Sequence, residues 1–245
     1  MSRLIYGINP VMEALKSGVT RLSKVIVSDK KGKATYPVER EAHKRGVAVE
    51  YDSPKSLDVM TKGAAHQGVV GVATGEFEYV DIEDAINKWK ASGKKAFFVL
   101  LDSVQDPQNM GSIIRGADVF GAHAVVITKD RCAPVTPAVT KASAGATEHV
   151  MIAMVVNLAA AIRRLKEENV WVAAIEAGEG KLVSSEDLNI DIAVVIGSEG
   201  SGIRKLVKEE CDFALSIPMS GRVNSLNAAQ AGVVVMYEIR RQRGA

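Results

Sequence analysis

The sequence predicts an α/β protein whose C-terminal part is built on a parallel sheet. After residue 96, apolar runs of five or six residues alternate with helical patterns. Continuous apolar runs of this kind are typical of strands that are covered by helices on both faces, as in parallel sheets. Before residue 77, shorter helical and strand-like segments alternate, which indicates a separate small α/β unit.

The first predicted domain spans residues 1–77. Its segments are helical at 10–16, 36–45 and 54–62, and strand-like at 24–28, 47–51 and 68–73. Residues 78–95 follow, with acids and lysines on an interrupted apolar pattern that ends in Ser-Gly-Lys-Lys. This composition predicts a partly helical linker.

The third predicted segment is a domain of residues 96–245. Its strand candidates lie at 97–101, 124–128, 170–175, 192–196 and 213–217. A closing helix is predicted from Ser225 to about Arg241, and it is apolar on more than one face. We therefore expect this helix to pack against more than its own sheet.

Composition excludes several classes of protein. The 245 residues are 47% apolar and 24% charged, as in a soluble globular protein. The longest apolar stretches are far shorter than the roughly 20 residues that a membrane span requires, so no membrane association is expected. The N-terminus lacks the pattern of a secretory signal, which predicts a cytoplasmic protein.

Metal and disulfide chemistry are not expected. Cys132 and Cys211 lie far apart without a CxxC motif, and the four histidines are dispersed through the chain. Neither a disulfide framework nor a zinc-binding spacing is present in this pattern. We interpret both cysteines as ordinary buried thiols.

Positive charge is concentrated near the N-terminus. The formal net charge of the chain is +2, whereas residues 3–45 contain ten Lys or Arg and four acids, a local balance of +6. A local patch matters more than the total for nucleic-acid binding. On sequence alone, a solvated face and an RNA-facing surface are equally good interpretations.

Polar residues cluster after three of the predicted strands, where α/β sheets place their ligands. The first cluster, residues 101–115, runs from a strand through a polar loop into a helix. Asn109 is predicted at or near the N-cap of that helix, and Arg115 could reach back to the same rim. Spacing alone favours a structural interpretation, in which Asn109 caps the helix and Arg115 pairs with a surface acid.

The second cluster, residues 196–202, contains three glycines between a buried strand and a helix. Such glycines allow close approach of the backbone to a ligand. The spacing is GxxGxG, which is neither a dinucleotide fingerprint nor a phosphate loop. Glu199 would repel a phosphate, so we expect either a generic turn or a carboxylate directed at a neutral or cationic ligand.

The third cluster, residues 217–229, follows the last predicted strand. Asn224 or Ser225 is predicted to cap the closing helix. Asn227 would then lie one turn inside an otherwise apolar helix, where its amide must find partners or face a site.

Taken together, the three clusters resemble the SPOUT superfamily of knotted methyltransferases, specifically its ribose 2′-O branch. The family pattern DPxNxGxxxR matches residues 106–115, GxEGxG matches 197–202, and IPMxGxxxSLN matches 217–227. The resemblance covers residues 96–243. YGxNPVxEAL at 6–15 and HQGVVG at 66–71 resemble the ribosomal-protein-like, L30e-like RNA-binding domain that precedes the catalytic unit in 23S rRNA guanosine 2′-O-methyltransferases.

The resemblance implies a parallel sheet with a deep trefoil knot, a rare exception to the rule against knotted chains. It also implies S-adenosylmethionine as the cofactor, bent inside the knot. The cofactor-binding positions carried over by the resemblance are Gly197, Ile217 and Leu226, with Pro218 and Met219 lining the same pocket. The catalytic positions are Asn109, Arg115, Glu199, Ser225 and Asn227.

Each catalytic position is given a role on the same basis. Arg115 is expected nearest the reacting oxygen, in electrostatic and positioning work, because a guanidinium is not easily deprotonated. Glu199 is expected to orient Arg115 or a substrate group. Asn109, Ser225 and Asn227 are expected to supply hydrogen bonds that fix the loops and the ribose.

The function implied is methyl transfer to the ribose 2′-hydroxyl of a guanosine in 23S rRNA by a homodimer whose interface includes Val233 and Met236. Transfer RNA is the alternative substrate. DNA is not expected as a substrate, because it lacks the reacting hydroxyl. A non-catalytic RNA-binding protein and a nucleotide-dependent oxidoreductase are the competing classes, and the second lacks its fingerprint motif.

Overall fold

The computed structural model describes residues 2–29, 32–178, 180–222 and 225–244. The chain divides into two compact units. The first consists of Met1–Glu78 and Val135–His149, and the second of Tyr79–Pro134 and Val150–Ala245. The first boundary lies one residue beyond the predicted end of the first domain, whereas the grouping of 135–149 with the N-terminal residues was not predicted.

The first unit is a four-stranded sheet with helices. Its elements are β1 (Ser2–Tyr6), α1 (Ile8–Ser17), β2 (Leu22–Ser28), α2 (Tyr36–Lys44), β3 (Ala48–Asp52), α3 (Pro54–Met60), β4 (Val69–Thr74), α6 (Pro137–Ala142) and a short 3-10 helix (Ala146–Glu148). The strand order is β1-β4-β2-β3, with β2 and β3 parallel and the other pairs antiparallel. Helix α1 places Val11, Ala14 and Leu15 in the core against Val25 and Val69.

The second unit carries a seven-stranded sheet. Its elements are α4 (Ile82–Ser92), β5 (Phe97–Asp102), α5 (Pro107–Val119), β6 (Ala124–Thr128), β7 (Met151–Val155), α7 (Leu158–Glu167), β8 (Trp171–Ile175), β9 (Lys181–Leu182), β10 (Ile192–Gly197), α8 (Lys205–Lys208), β11 (Phe213–Ser216) and α9 (Ala228–Gln242). The strand order is β7-β6-β5-β10-β8-β11-β9, and every neighbouring pair is parallel.

Helices cover both faces of this sheet, as the continuous apolar strands predicted. On one face, α4, α7 and α8 pack against alternate residues of β5 and its neighbours, among them Phe98 and Leu100. On the other face, α5 and α9 pack together, and α9 also contacts β10. The predicted parallel α/β architecture is confirmed; the trefoil threading implied by the resemblance stays a prediction.

Residues 79–95, predicted as part of a linker, lie in the second unit. Helix α4 begins at the N-cap Asp81, whose carboxylate accepts a hydrogen bond from the backbone N–H of Asp84 at 2.8 Å. Ile86 and Trp89 of this helix are buried in the core of the second unit. The segment is therefore a structural layer of that unit, which its interrupted charge pattern concealed.

Helix α9 differs from its prediction in where it begins and in which residues it exposes. Met236 is fully buried, and Val233 and Met236 lie beside Gly116 of α5. The expectation that Met236 contributes to a surface between protomers is wrong, because its side chain fills the contact between α5 and α9. Val234 and Tyr237 are the exposed apolar residues of this helix.

Strands β1, β7 and β9 were not predicted. Strand β9 has only two residues, and β7 contains two methionines and an alanine, which have weaker strand preference than branched side chains. Within the part of the chain that is described, no helix is long and apolar enough to cross a bilayer.

Candidate active site

Three loops meet where parallel strands of the second unit end. Strand β5 ends at Asp102, β10 ends at Gly197, and β11 ends at Ser216. Residues 103–106, 198–204 and 217–227 follow these strands. The carboxyl ends of parallel strands share one edge of a sheet, so the three predicted clusters lie at the same edge.

The first loop ends in a capped helix. Asp106 is the N-cap of α5, and its carboxylate accepts hydrogen bonds from the backbone N–H groups of Gln108 and Asn109. Pro107 occupies the first helical position, where a missing N–H is tolerated. The expectation that Asn109 serves as the cap is therefore corrected, and its side chain is left for other contacts.

The third loop ends at Asn227, which is the N-cap of α9. Its side-chain oxygen accepts hydrogen bonds from the backbone N–H groups of Ala229 at 2.8 Å and Gln230 at 3.3 Å. The helix thus begins three residues later than predicted, and Ser225 is not its cap. Asn224, the alternative cap, lies outside the described residues. Asn227 is polar because it starts the helix.

Asn227 also joins the three loops. Its side-chain nitrogen donates a hydrogen bond to Oδ1 of Asn109 at 2.9 Å and another to Oε1 of Glu199. With its oxygen occupied by the helix, the Asn227 amide is fully engaged. The second oxygen of Glu199 and the side-chain nitrogen of Asn109 are engaged by no other described residue, so both can bind a substrate.

The hydrogen-bonded side chains of Asn109, Glu199 and Asn227 form a junction of the three loops. A cavity of about 450 Å³ lies on one side of this junction. Gly197, Ile217, Met219 and Leu226, four of the five positions predicted to bind a cofactor, line it. The fifth, Pro218, is exposed and is not part of the lining. Ser225 lines the same cavity, as do several residues that were not predicted, namely Ile175, Glu176, Ala177, Ile196 and Ala231.

The lining of this cavity combines apolar side chains with carboxylates. Ile175, Ile217 and Leu226 offer apolar surface to a planar ring, while Glu176 and Glu199 place negative charge in the cavity. Lys208 approaches Glu176 at 3.6 Å. An aromatic base linked to a cationic group fits such a site, and the volume lies within the usual range for small-molecule pockets.

A second, smaller cavity of about 300 Å³ lies on the other side of the junction. Its lining is mostly polar and includes Ser103, Gln105, Asp106, Asn109 and Ser201. Ser198, Glu199 and Ala228 line both cavities. The two spaces therefore share a wall that contains the Glu199 carboxylate.

Asp102 and Arg204, which were not predicted as site residues, hold the loop of residues 198–204. Asp102 is fully buried, and its two carboxylate oxygens accept hydrogen bonds from Nε of Arg204 at 2.6 Å and from the backbone N–H of Arg204 at 2.7 Å. The signal was a carboxylate at the end of an entirely apolar strand, since a buried charge requires a partner.

The backbone of the loop of residues 198–204 folds back on itself. Ser198 and Gly202 exchange backbone hydrogen bonds at 3.1 and 3.0 Å. A Cβ added to Gly197 would lie 2.3 Å from the carbonyl carbon of Gly202, so only glycine allows this approach. Glu199 lies within the loop thus closed.

Arg115 is the predicted catalytic residue that the second unit does not bring to the cavities. Its side chain is exposed on α5, lines neither cavity, and makes no hydrogen bond or ion pair with the described residues. Among those residues, no three potential metal ligands lie close enough together to hold an ion.

In the first unit, half of the ten basic residues counted between 3 and 45 are paired with acids. The pairs are Arg3–Glu148, Lys16–Glu13, Lys24–Glu50, Lys44–Glu41 and Arg45–Glu41. Arg21, Lys33 and Arg40 are exposed and form no ion pair within the described part of the chain. Lys30 and Lys31 lie outside it.

Two family models match the chain. Residues 96–237 match the SpoU rRNA Methylase family, and residues 4–78 match the model described as RNA 2′-O ribose methyltransferase substrate binding.

Relatives of similar length carry methyltransferase names. A TrmH family tRNA/rRNA methyltransferase of Bacillus subtilis is 42% identical over 241 residues, which are 98% of this chain and 95% of that protein. The 23S rRNA (guanosine-2′-O-)-methyltransferase of Escherichia coli is 36% identical over 246 residues, with 99% and 100% of the two chains covered.

Solved structures share the fold over nearly the whole chain. An S-adenosylmethionine-bound rRNA methyltransferase from Sinorhizobium meliloti has a TM-score of 0.79 at 26% identity, covering 98% of this chain and 87% of that one. The SpoU methyltransferase AviRb from Streptomyces viridochromogenes has a TM-score of 0.80 at 24% identity, covering 99% and 90%.

Proposed function

The chain belongs to the SpoU rRNA methylase family, and on this basis we propose that it methylates the ribose 2′-hydroxyl of a guanosine in 23S ribosomal RNA. It is an S-adenosylmethionine-dependent RNA methyltransferase. The observation that carries the proposal is the hydrogen-bonded junction of Asn109, Glu199 and Asn227 at the wall between two cavities.

The larger cavity is the proposed cofactor site. S-adenosylmethionine supplies a methyl group on a positively charged sulfur, and the carboxylates of Glu176 and Glu199 favour that charge. Gly197, Ile217, Met219 and Leu226 would contact the cofactor, and Ser225 offers a hydroxyl in the same space. Pro218 does not line the cavity, and we propose that it fixes the backbone between Ile217 and Met219.

The smaller cavity is the proposed site of the acceptor ribose. In-line transfer requires the attacking oxygen to approach from the side opposite the leaving group, so the acceptor enters from a neighbouring space. The free nitrogen of Asn109 can donate to a ribose oxygen, and the free oxygen of Glu199 can accept from a hydroxyl. Because Asn227 fixes both side chains, they are oriented before the substrate arrives.

Arg115 is proposed to steady charge that develops on the attacking oxygen, or to grip an adjacent phosphate. Its exposed position on α5 suits a contact with RNA or with a second protomer.

A homodimer is part of the proposal. Exposed apolar side chains on α5 and α9, Val119, Val234 and Tyr237, form the surface that would pair, in place of the buried Met236. Tyr237 packs edge-on against Phe120 with ring centroids 6.0 Å apart, which fixes the orientation of the exposed ring.

The first unit is proposed to bind the RNA. The family model matched by residues 4–78 is named for substrate binding, and Arg21, Lys33 and Arg40 are exposed cations that lack acidic partners in the described chain. Such cations contact phosphates and give affinity without sequence choice, so the target must also be recognised by RNA shape. DNA lacks the acceptor hydroxyl. A cytoplasmic location, where ribosomal RNA is modified, belongs to the same proposal.

The experiment that tests this function measures methyl transfer from labelled S-adenosylmethionine to unmodified 23S rRNA and to unmodified tRNA. We expect label in 23S rRNA, mapped as 2′-O-methylguanosine at one site. Label in tRNA alone would replace the substrate with the alternative. Cofactor binding without transfer to either RNA would support a non-catalytic RNA-binding protein, and binding of NAD in its place an oxidoreductase.

A variant separates chemistry from cofactor binding. Arg115→Ala should abolish transfer while changing the affinity for S-adenosylmethionine little, because the side chain lies outside the larger cavity. Arg163→Ala is the matched control, since Arg163 is an exposed helical arginine that pairs with Glu210 away from the site. Wild-type turnover by Arg115→Ala would refute the assignment.

A further inference from the structure

We propose that Asp102 and Arg204 are a positioning pair that holds Glu199 at the junction of the three loops, so that methyl transfer depends on a contact that touches neither substrate. The proposal rests on the proposed function of the junction. Its structural part concerns the loop of residues 198–204 and can be tested without RNA.

The backbone brings one end of this loop to Asp102. In the pairing of β10 with β5, Gly197 lies opposite Asp102, and Gly197 is the last residue before the loop. The side chain of Asp102 then reaches the other end, where it accepts hydrogen bonds from two nitrogens of Arg204. Both ends of the loop are therefore anchored on a single residue.

The Asp102 carboxylate is costly in this position. It is fully buried at the end of a strand whose other residues are apolar. Replacing a buried ion pair with apolar residues is often neutral or stabilising, so stability alone is a weak reason for such a pair. A role in fixing geometry explains why two directed hydrogen bonds are made by one carboxylate.

The anchoring by Asp102 fixes the position of Glu199 through hydrogen bonds inside the loop. Ser198 and Gly202 close the loop with two backbone hydrogen bonds, and the hydroxyls of Ser198 and Ser201 lie 2.6 Å apart. Glu199 and Gly200 form the exposed tip. With both ends and the middle fixed, Glu199 is held where it meets the side-chain nitrogen of Asn227.

Asp102 also contacts a second segment that lines the smaller cavity. Ser103, the next residue, has a φ of 63°, a left-handed conformation that costs a non-glycine residue about 1 kcal/mol. Its hydroxyl lies 3.3 Å from Oδ1 of Asp102, and Ser103 lines the smaller cavity. One carboxylate thus contacts both Ser103, which lines the proposed acceptor site, and Arg204, which ends the loop that carries Glu199.

The first test replaces Arg204 with methionine, whose unbranched side chain matches that of arginine as far as Nε and which keeps the backbone N–H but removes the guanidinium. We expect transfer by Arg204→Met at saturating S-adenosylmethionine to fall about 100-fold, the usual cost of a displacement of about 1 Å in an active site. The affinity for S-adenosylmethionine should fall as well, because Ser198 and Glu199 of the same loop line the larger cavity. Arg204→Lys, which keeps a cation, should recover part of the loss.

The control is Arg164→Met, since Arg164 forms a comparable set of hydrogen-bonded ion pairs with Glu83 and Glu168 on the surface of the second unit. This variant should transfer methyl at the wild-type rate. A melting temperature measured for each variant separates loss of position from loss of folding.

A double-mutant cycle distinguishes positioning from a general structural role. If Arg204 acts through Glu199, then Arg204→Met should change single-turnover transfer by less than about threefold in a Glu199→Ala background. Equal fractional losses in both backgrounds would overturn the proposal, as would wild-type turnover by Arg204→Met.

Hydrogen exchange completes the test on the full chain without RNA. Arg204→Met should speed amide exchange in the peptide that contains residues 197–204, while the peptide that contains α7 keeps its wild-type rate. Unchanged exchange in the loop would refute the positioning role even if the enzyme is active. If the wild type fails to methylate RNA while this loop responds, the proposed function fails and the positioning of the loop stands.

Discussion

Two of the loops that line the larger cavity are built differently. The loop of residues 198–204 is closed by its own backbone and anchored to the buried Asp102. In the loop of residues 217–227, none of the described residues 217–222, 225 and 226 forms a hydrogen bond, and Asn227 carries the contacts at its end.

This difference assigns different work to each loop. The loop of residues 198–204 holds the Glu199 carboxylate in a fixed position, which suits a group that must be oriented before the reaction. The loop of residues 217–227 presents Met219 and Leu226, which are 38% and 40% exposed. This loop therefore buries apolar surface when a ligand fills the cavity. We infer that one loop is preformed and that the other is completed by the cofactor.

The largest effect is expected at Gly197, where the anchored loop begins. In Gly197→Ala the new Cβ would meet backbone atoms of Gly202 at 2.3 and 2.5 Å, so the loop must shift. We expect binding of S-adenosylmethionine, measured by calorimetry, to weaken by more than about 100-fold, because this glycine also lines the cavity. Unchanged affinity would show that the tight approach is not needed.

The next largest effect is expected at Asn227, which connects both loops with Asn109. Asn227→Ala should lower methyl transfer about 100-fold and the free energy of unfolding by about 1 kcal/mol, the usual cost of a lost N-cap. Asn157→Ala is a matched control, since Asn157 caps α7 by accepting from Ala160. Equal losses of activity in the two variants would reduce Asn227 to a structural cap.

A smaller effect is expected at Leu226, in the loop that the cofactor completes. Leu226→Ala removes apolar surface from the cavity and should weaken binding of S-adenosylmethionine about tenfold, with little change in the melting temperature because the side chain is partly exposed. A large loss of stability with unchanged cofactor affinity would mean that this loop is already packed without its ligand.

The smallest effect is expected at Gly221, which lies in the same loop. A Cβ added there meets nothing within 4 Å, and its φ is not in the left-handed region. Gly221→Ala should leave the melting temperature unchanged or raise it by about 2 °C, since alanine restricts the unfolded chain. A clear fall in melting temperature would contradict the free space found around Gly221.

Apolar runs predicted the parallel sheet well because its strands are buried on both faces and need no alternation. Helix α4 was expected only as a partly helical piece of a linker, because its lysines and acids face solvent while Ile86 and Trp89 fill the core. The grouping of residues 135–149 with the N-terminal unit depends on contacts between distant parts of the chain, which no local pattern records.

At the site, the family resemblance placed Asn109, Glu199 and Asn227 together, and the structure joins these three side chains by hydrogen bonds, whereas the helix caps were assigned to the wrong residues. Asp106 and Asn227 are the caps, one and three positions from features that sequence reasoning had already noted, namely Pro107 and Asn224. Arg204 was missed because an arginine seven residues beyond Gly197 has no partner in sequence, and the partner, Asp102, lies about a hundred residues earlier.

Ribose methylation is tested with two 23S rRNA fragments that differ only in the oxygen at one 2′ position. Wild-type protein is given labelled S-adenosylmethionine and 23S rRNA fragments that carry either guanosine or 2′-deoxyguanosine at the mapped position. We expect label only in the first fragment, recovered as 2′-O-methylguanosine. Equal label in the deoxy fragment would place the methyl group on the base or on another nucleotide, and would contradict ribose methylation.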